Sequence, residues 1–220
     1  MRYFSNRSEA GRLLVEKMKT KGDFFLNPAV LAVSAGSVLV ASEIARGLHA
    51  PLYMIETENV DIPGEGTAGI ASTGGNFVFS SAYSKGHLEA MQADYRPIID
   101  QERFKAFQKL NRIVGREGSV NKKLLNRHEV ILVADGLKSS LILEVVVDFI
   151  KPVDTRKIVI VTPIATIPVV DYMHLNADQI FCLGVIEDYL DTDHYYEENI
   201  IPSHKQAVEI IKNSVFTWQY

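Results

Sequence analysis

A single cysteine in 220 residues, Cys182, rules out an internal disulfide framework. Long apolar runs are also missing. The longest are strand-sized, far below the ~20 residues that cross a bilayer, so neither a transmembrane helix nor a membrane partner is expected. The first eight residues turn directly into an amphipathic segment without the apolar core of a secretory signal, and the chain reads as cytoplasmic. There is no basic excess: 23 Lys and Arg against 27 Asp and Glu give a net charge of −4, which argues against a general nucleic-acid binder. Neither GxGxxG nor GxxxxGK occurs, so dinucleotide and P-loop readings lack their fingerprint. The six histidines (His49, His87, His128, His174, His194, His204) show no pair at helical ligand spacing and lie apart from the cysteine. No protein-built metal site is expected. Internal repeats, low-complexity tracts and linkers are absent as well. At ~150 residues per domain, a single domain over 1–220 carrying one elaboration fits best.

What is present is aliphatic and regularly patterned, with 47% hydrophobic residues. Asn6 and Glu9 have capping-box spacing, and Ala10, Leu13, Leu14 and Met18 follow at helical intervals, predicting a helix over 7–19. Short aliphatic runs predict strands over 29–33, 52–55, 130–133, 157–161 and 179–183. Helices are expected over 38–48, 141–150 and 167–175, and a last one through Lys212 capped by Ser203 and Gln206. Cys182 falls in the apolar run 179–185 and reads as a small buried hydrophobe rather than a nucleophile. Gly74 and Gly75 between 70–72 and 77–79 suggest a hairpin, whereas the acidic, glycine-rich stretch 56–69 has no clear period and reads as a long loop. A helical excursion is expected over about 82–128. Within it, 100–114 places Phe104, Phe107, Leu110 and Val114 on one side, and Gly115 and Gly118 break the pattern. Strands alternating with helices, aliphatic on both faces, predict an α/β fold: a mostly parallel central sheet flanked by helices, with a helical insertion.

Charge is unevenly spread. Residues 51–84 hold Glu56, Glu58, Asp61 and Glu65 and no Lys or Arg, while 85–128 hold ten bases against five acids. Interleaving of the two signs in the second segment reads as a solvated helical face rather than a polyanion site.

Ligands on parallel sheets bind beyond the carboxyl ends of the strands, where two small-residue turns are expected. The turn 135–140 joins a buried strand to a helix through Gly136, Leu137, Lys138, Ser139 and Ser140. A helix start leaves backbone N–H groups unpaired and carries about half a positive charge, so a phosphate fits there. A capped turn with no ligand explains the residue types at least as well. Asp135, ending the strand, can accept from sugar hydroxyls or touch a magnesium ion, and can equally cap the helix. Ser34, Ala35, Gly36 and Ser37 repeat the geometry with small side chains only, suiting close approach of amides to an anion or tight packing of strand on helix. The segment 32–36 also approaches a nucleophile elbow, but its first position is Ala32 and no Asp and His can be assigned to Ser34. Tyr189, Tyr195 and Tyr196, in an acidic loop after the last strand, read as a lid on the sheet edge rather than as base-stacking groups.

The pattern resembles the type I phosphoribosyltransferases, in particular their stand-alone members. The family signature is four aliphatic residues, two acids, Gly, two variable residues, Thr or Ser, Gly, a variable residue, and Thr or Ser. Residues 130–133 match the strand, Asp135 the second acid, Gly136 the glycine and Ser139 the first hydroxyl; Ala134, Ser140 and Ile142 depart from it. Residues 6–11 resemble the opening helix, 29–48 the first strand, pyrophosphate loop and helix, Pro63, Gly64, Glu65 and Gly69 the flexible loop, and 195–197 the ending. Where the family carries Arg-Lys after its second strand and Arg in the pyrophosphate loop, this chain has Glu56-Thr57 and Ser34-Ala35.

The resemblance implies a phosphorylated-sugar ligand of the ribose 5-phosphate or 5-phosphoribosyl diphosphate type, magnesium, and transfer of phosphoribosyl to a nitrogenous base with release of pyrophosphate. Asp135 would hold ribose hydroxyls as the catalytic carboxylate, residues 136–140 the 5-phosphate, and residues 34–37 the pyrophosphate. The acceptor base would lie in a hood built from residues 1–10 and 185–200. The alternative is an inactive phosphoribosyltransferase-fold binding or regulatory module. A homodimer is compatible with either.

Overall fold

A computed structural model describes residues 3–22, 24–114 and 120–214. Helix α1 (Arg7–Thr20) starts where the Asn6 side chain accepts from the Glu9 amide, and buries Ala10, Leu14 and Met18. Then follow β1 (Pro28–Ala32), α2 (Ser37–Leu48), β2 (Leu52–Met54), the antiparallel strands β3 (Thr57–Ile62), β4 (Gly66–Ser72) and β5 (Phe77–Phe79), and the long helix α3 (Lys85–Val114). After a short 3-10 turn come β6 (Glu129–Val133), α4 (Leu141–Ile150), β7 (Lys157–Thr166), α5 (Ile167–Asn176), β8 (Gln179–Ile186) and α6 (His204–Lys212). Ser203 and Gln206 cap α6 reciprocally, as their spacing requires.

Five strands form one parallel sheet in the order β2-β1-β6-β7-β8. The expected α/β architecture, a parallel sheet between helices, is the one observed. Successive side chains of β1 alternate between two cores: Ala29 and Leu31 pack with α4 and α5, Val30 and Ala32 with α1 and α2. Both faces are therefore aliphatic. Cys182 of β8 packs partly buried against the first core, and burial raises its thiol above the ordinary value. No helix among the described residues is long and apolar enough to cross a membrane.

The long loop expected over 56–69 is instead most of two strands, β3 and β4, paired antiparallel with a bulge between Val60 and Asp61. The pattern was hard to read because β4 is built mainly from Gly, Ala, Thr and Ser, and the bulge breaks the period of two. The hairpin about Gly74 and Gly75 forms as expected between β4 and β5.

Helix α3 lies within the helical excursion expected over about 82–128 and runs as one helix from Lys85 through Pro97 into the segment 100–114. Its contact face carries Met91, Ile99, Ala106 and Leu110, buried against β3 and β4. Phe104, expected on that side, is 63% exposed. Gly115 and Gly118 lie outside the described residues. The charge asymmetry has a local use, since Lys109 of α3 bonds Glu58 of β3 at 2.5 Å. Strands β7 and β8 run several residues past their expected ends, and that extension carries the loop described next.

Candidate functional site

Strands β1 and β6 are parallel neighbours with Ala32 opposite Val133, so the turns that follow them leave the same sheet edge side by side. They are locked together. Ser37 Oγ donates to Asp135 Oδ1 at 3.0 Å and accepts from the Asp135 amide at 3.3 Å. Ser34 Oγ accepts from the Ser37 amide at 3.1 Å and lies 2.7 Å from Ser37 Oγ, so its own proton points at Ser37. Ser37 is fully buried, and a Cβ on Gly36 would stand 2.7 Å from Asp135 Oδ2. Glycine at 36 is thus what lets the carboxylate close over the first turn.

The Asp135 carboxylate has a partner that sequence reasoning missed. Arg7, 1% exposed, donates from Nε to Asp135 Oδ2 at 2.8 Å, from Nη1 to Asn199 Oδ1 at 2.7 Å and from Nη2 to Asp193 Oδ1 at 2.7 Å. Its guanidinium lies 4.5 Å from the centre of the Tyr196 ring, and the Tyr196 hydroxyl donates to the Asp135 carbonyl. Burial alone would lower the Arg7 pKa, but the charge of Asp135 and the bonds to Asp135 and Asp193 outweigh it and hold the group protonated. Burial, reinforced by the Asp135 charge, raises the Tyr196 phenol and keeps it a donor. A signal for Arg7 existed in the sequence: it stands three and seven residues before Ala10 and Leu14, a charge on the apolar stripe of α1.

The segment 187–199 covers these groups. Tyr189, Tyr195 and Tyr196 are buried with Phe4 beneath it, which makes the expected lid the observed arrangement. A Cβ on Gly136 would run into the Tyr189 hydroxyl and stand 2.8 Å from Thr192 Cγ2, so glycine is required under this strap. Burial is the main force raising the Tyr189 phenol, and its hydroxyl lies 2.9 Å from Thr192 Oγ1.

Beyond Gly136 the second turn opens. Leu137 is buried and tied to β7: its amide donates to the Ile164 carbonyl at 3.0 Å and its carbonyl accepts from the Thr166 amide at 3.1 Å. Lys138 and Ser139 are exposed. The Lys138 ammonium bonds the Leu190 carbonyl at 2.9 Å, turned toward the strap. Ser140 Oγ donates to Glu144 Oε1 at 2.6 Å, which Ser81 Oγ also reaches. Among the described residues, the six successive amides of 138–143 have no acceptor and the Ser139 hydroxyl has no partner. Six free donors at the start of α4 are of the kind that can donate to an anion.

A divalent cation does not fit Asp135 as it stands, because one oxygen accepts from a buried guanidinium and the other from Ser37. No cluster of three or more His, Cys, Asp or Glu that could hold a metal occurs among the described residues. Glu56, at the place where the resemblance implies a base, bonds His204 Nδ1 at 3.0 Å.

No family model matches the sequence. Solved structures that the chain resembles include an adenine phosphoribosyltransferase from Thermoanaerobacter pseudethanolicus, 10% identical over 80% of each chain with a TM-score of 0.46. Another is a hypothetical protein from Neisseria gonorrhoeae with bound ppGpp, 14% identical over 94% of this chain and 96% of that one, with a TM-score of 0.48. The protein TT1426 from Thermus thermophilus is 23% identical over 97% of this chain and 99% of its own, with a TM-score of 0.73. The likeness to the Thermus protein runs nearly the full length of both chains, and it is a likeness of fold.

Proposed function

We propose that the protein is phosphoribosyltransferase-like and binds a phosphorylated sugar of the ribose 5-phosphate or 5-phosphoribosyl diphosphate type, with the 5-phosphate on residues 138–143. The observation that carries this reading is the run of six amides without acceptors, among the described residues, where β6 hands over to α4. Each can donate to a phosphate oxygen, and the α4 dipole adds its positive end. Ser139 supplies a hydroxyl donor, while Gly136 and Leu137 hold the turn in shape from beneath.

Binding without transfer is the second reading, and the state of Asp135 favours it. A carboxylate that already accepts from Arg7 and Ser37 has little capacity left for ribose hydroxyls or magnesium. The turn 34–37, assigned by resemblance to pyrophosphate, spends its serine hydroxyls on each other and on Asp135. Departure of a diphosphate needs cations where its charge develops. Two cations beside the turns, Arg7 and Lys138, are bonded elsewhere.

Calorimetric titration with ribose 5-phosphate, and with 5-phosphoribosyl diphosphate with and without magnesium, tests the reading. Both ligands are expected to bind, and Ser139→Asp to abolish binding by placing a carboxylate among the amides. No binding of either ligand removes the proposal. Pyrophosphate release with any nucleobase, lost in Asp135→Asn, would establish transfer and remove the second reading.

A further inference from the structure

A pocket of about 420 Å³ opens between the small antiparallel sheet and the start of α4. Its size lies within the roughly 300–1,000 Å³ typical of small-molecule sites. The pocket is continuous with the amides proposed above for a phosphate, because Ser139, Leu141 and Ile142 belong to both. The two are halves of one site. What the pocket adds rests on the phosphate reading and concerns the group to which the phosphate is attached.

The surroundings of the amides decide the direction in which a ligand extends. Toward Asp135 the turn is closed: Arg7 and Ser37 hold the carboxylate, and Tyr189 and Thr192 stand over Gly136. The hood that the family resemblance assigns to an acceptor base is filled by the chain's own Phe4, Tyr189, Tyr195 and Tyr196. On the side of the small sheet the pocket is open. Ile70, Leu141 and Ile142, which pack in one apolar cluster, give it an aliphatic wall suited to a ring face. Thr57 and Asn59, two apart and so on one face of β3, line it with side chains that have no hydrogen-bond partner among the described residues. No lining residue is charged, so the ligand's charge belongs at the amides and its body is neutral. Glu144, in the first turn of α4, does not line the pocket and accepts from the Ser81 and Ser140 hydroxyls. We infer that the site takes a phosphate monoester with a flat, uncharged aromatic body, its phosphate on residues 138–143 and its ring against Ile70, Leu141 and Ile142, with Thr57 and Asn59 at the ring's edge.

Calorimetry comparing the 5′-monophosphates of adenosine, guanosine, uridine and cytidine, and 1-naphthyl phosphate, with ribose 5-phosphate tests the inference. At least one aromatic ester is expected to bind about tenfold more tightly than ribose 5-phosphate, which has the same phosphate and no aromatic ring. Equal gains for the naphthyl ester and the nucleotides would place recognition in the ring face. A larger gain for a nucleotide would add hydrogen bonds from Thr57 and Asn59, and Asn59→Ala is then expected to remove the excess. Ala82→Trp, which fills the pocket from an exposed lining position, is expected to abolish the advantage over ribose 5-phosphate, with inorganic phosphate binding reporting that the variant is folded. In amide resonances, a bound aromatic ester is expected to move Thr57, Asn59 and Ile70 together with residues 138–143. Aromatic esters no tighter than ribose 5-phosphate, an advantage that survives Ala82→Trp, or ester-induced shifts on residues 189–196 in place of β3 and β4 would each overturn the inference and leave the phosphate reading standing. No binding of inorganic phosphate, ribose 5-phosphate or any ester would remove the proposed function, and the inference with it.

Discussion

The turns after β1 and β6 are alike in residue type and stand at neighbouring places on one sheet edge, yet one is closed and the other open. In residues 34–37 both serine hydroxyls are used internally, the glycine lets Asp135 sit on it, and Gly36 and Ser37 are buried, although the amides of Ser34, Ala35 and Gly36 have no acceptor among the described residues. In residues 135–140 the first half is equally closed, under Arg7 and the strap, but from Lys138 onward the amides are unclaimed among the described residues. The difference follows from the cross-links. Asp135 ties the two turns and the Arg7 network into one buried unit, whereas β7 holds Leu137 and leaves the next residues to solvent. Similar small residues therefore make a packing joint in one place and a solvent-facing donor array in the other; both turns carry amides without acceptors among the described residues, and what distinguishes them is that Gly36 and Ser37 are buried while Lys138 and Ser139 are exposed.

The most severe way to break the closed half is Arg7→Ala. It leaves the buried Asp135 carboxylate unpaired and releases Asp193 and Asn199, with an expected loss of about 3–5 kcal/mol in urea unfolding. Arg7→Lys is expected to recover little, because one ammonium cannot reach acceptors arranged around a planar fork. Gly36→Ala, with its Cβ 2.7 Å from Asp135 Oδ2, and Gly136→Ala, with its Cβ driven into the Tyr189 hydroxyl, are each expected to cost about 1–3 kcal/mol. The two differ in origin, since Tyr189→Phe removes the nearest clashing atom and should relieve part of the cost of Gly136→Ala, with Thr192 Cγ2 still at 2.8 Å, while leaving Gly36→Ala unchanged.

For the open half, Glu144→Gln removes a negative charge from the first turn of α4. Affinity for inorganic phosphate is expected to rise about two- to fivefold, the equivalent of about 0.3–1 kcal/mol. The smallest effect concerns acid stability. Partial burial pushes the Asp193 carboxyl up, but hydrogen bonds from Asn199 and Arg7, with the Arg7 charge, leave it below its ordinary value of 3.8. A lowered folded pKa means that its stabilisation is present above that ordinary value and is lost as pH falls through the folded one. Asp193→Asn is therefore expected to be less stable at neutral pH and to lose less stability than the wild type below about pH 4, read from unfolding midpoints across that range.

The central sheet was legible because parallel strands buried on both faces are aliphatic throughout, as 130–133 and 29–33 are. The helices α1, α4 and α6 were legible through caps and periodicity. Strands β3 and β4 were not, because a sheet of small residues with a bulge carries no alternating apolar signal and depends on α3 for its cover. In the site, the position of the open turn was legible from Gly136 and its serines. The role of Asp135 was not, because a carboxylate ending a strand looks the same in sequence whether it faces a sugar or a buried guanidinium. The partner that decides, Arg7, is 128 residues away.

The contrast between the two turns is tested most directly by following backbone amide resonances during titration with inorganic phosphate. Shifts concentrated on residues 138–143, with residues 34–37 unmoved, are the expected result. Shifts at residues 34–37, or no response from residues 138–143 at saturating phosphate, would contradict the account.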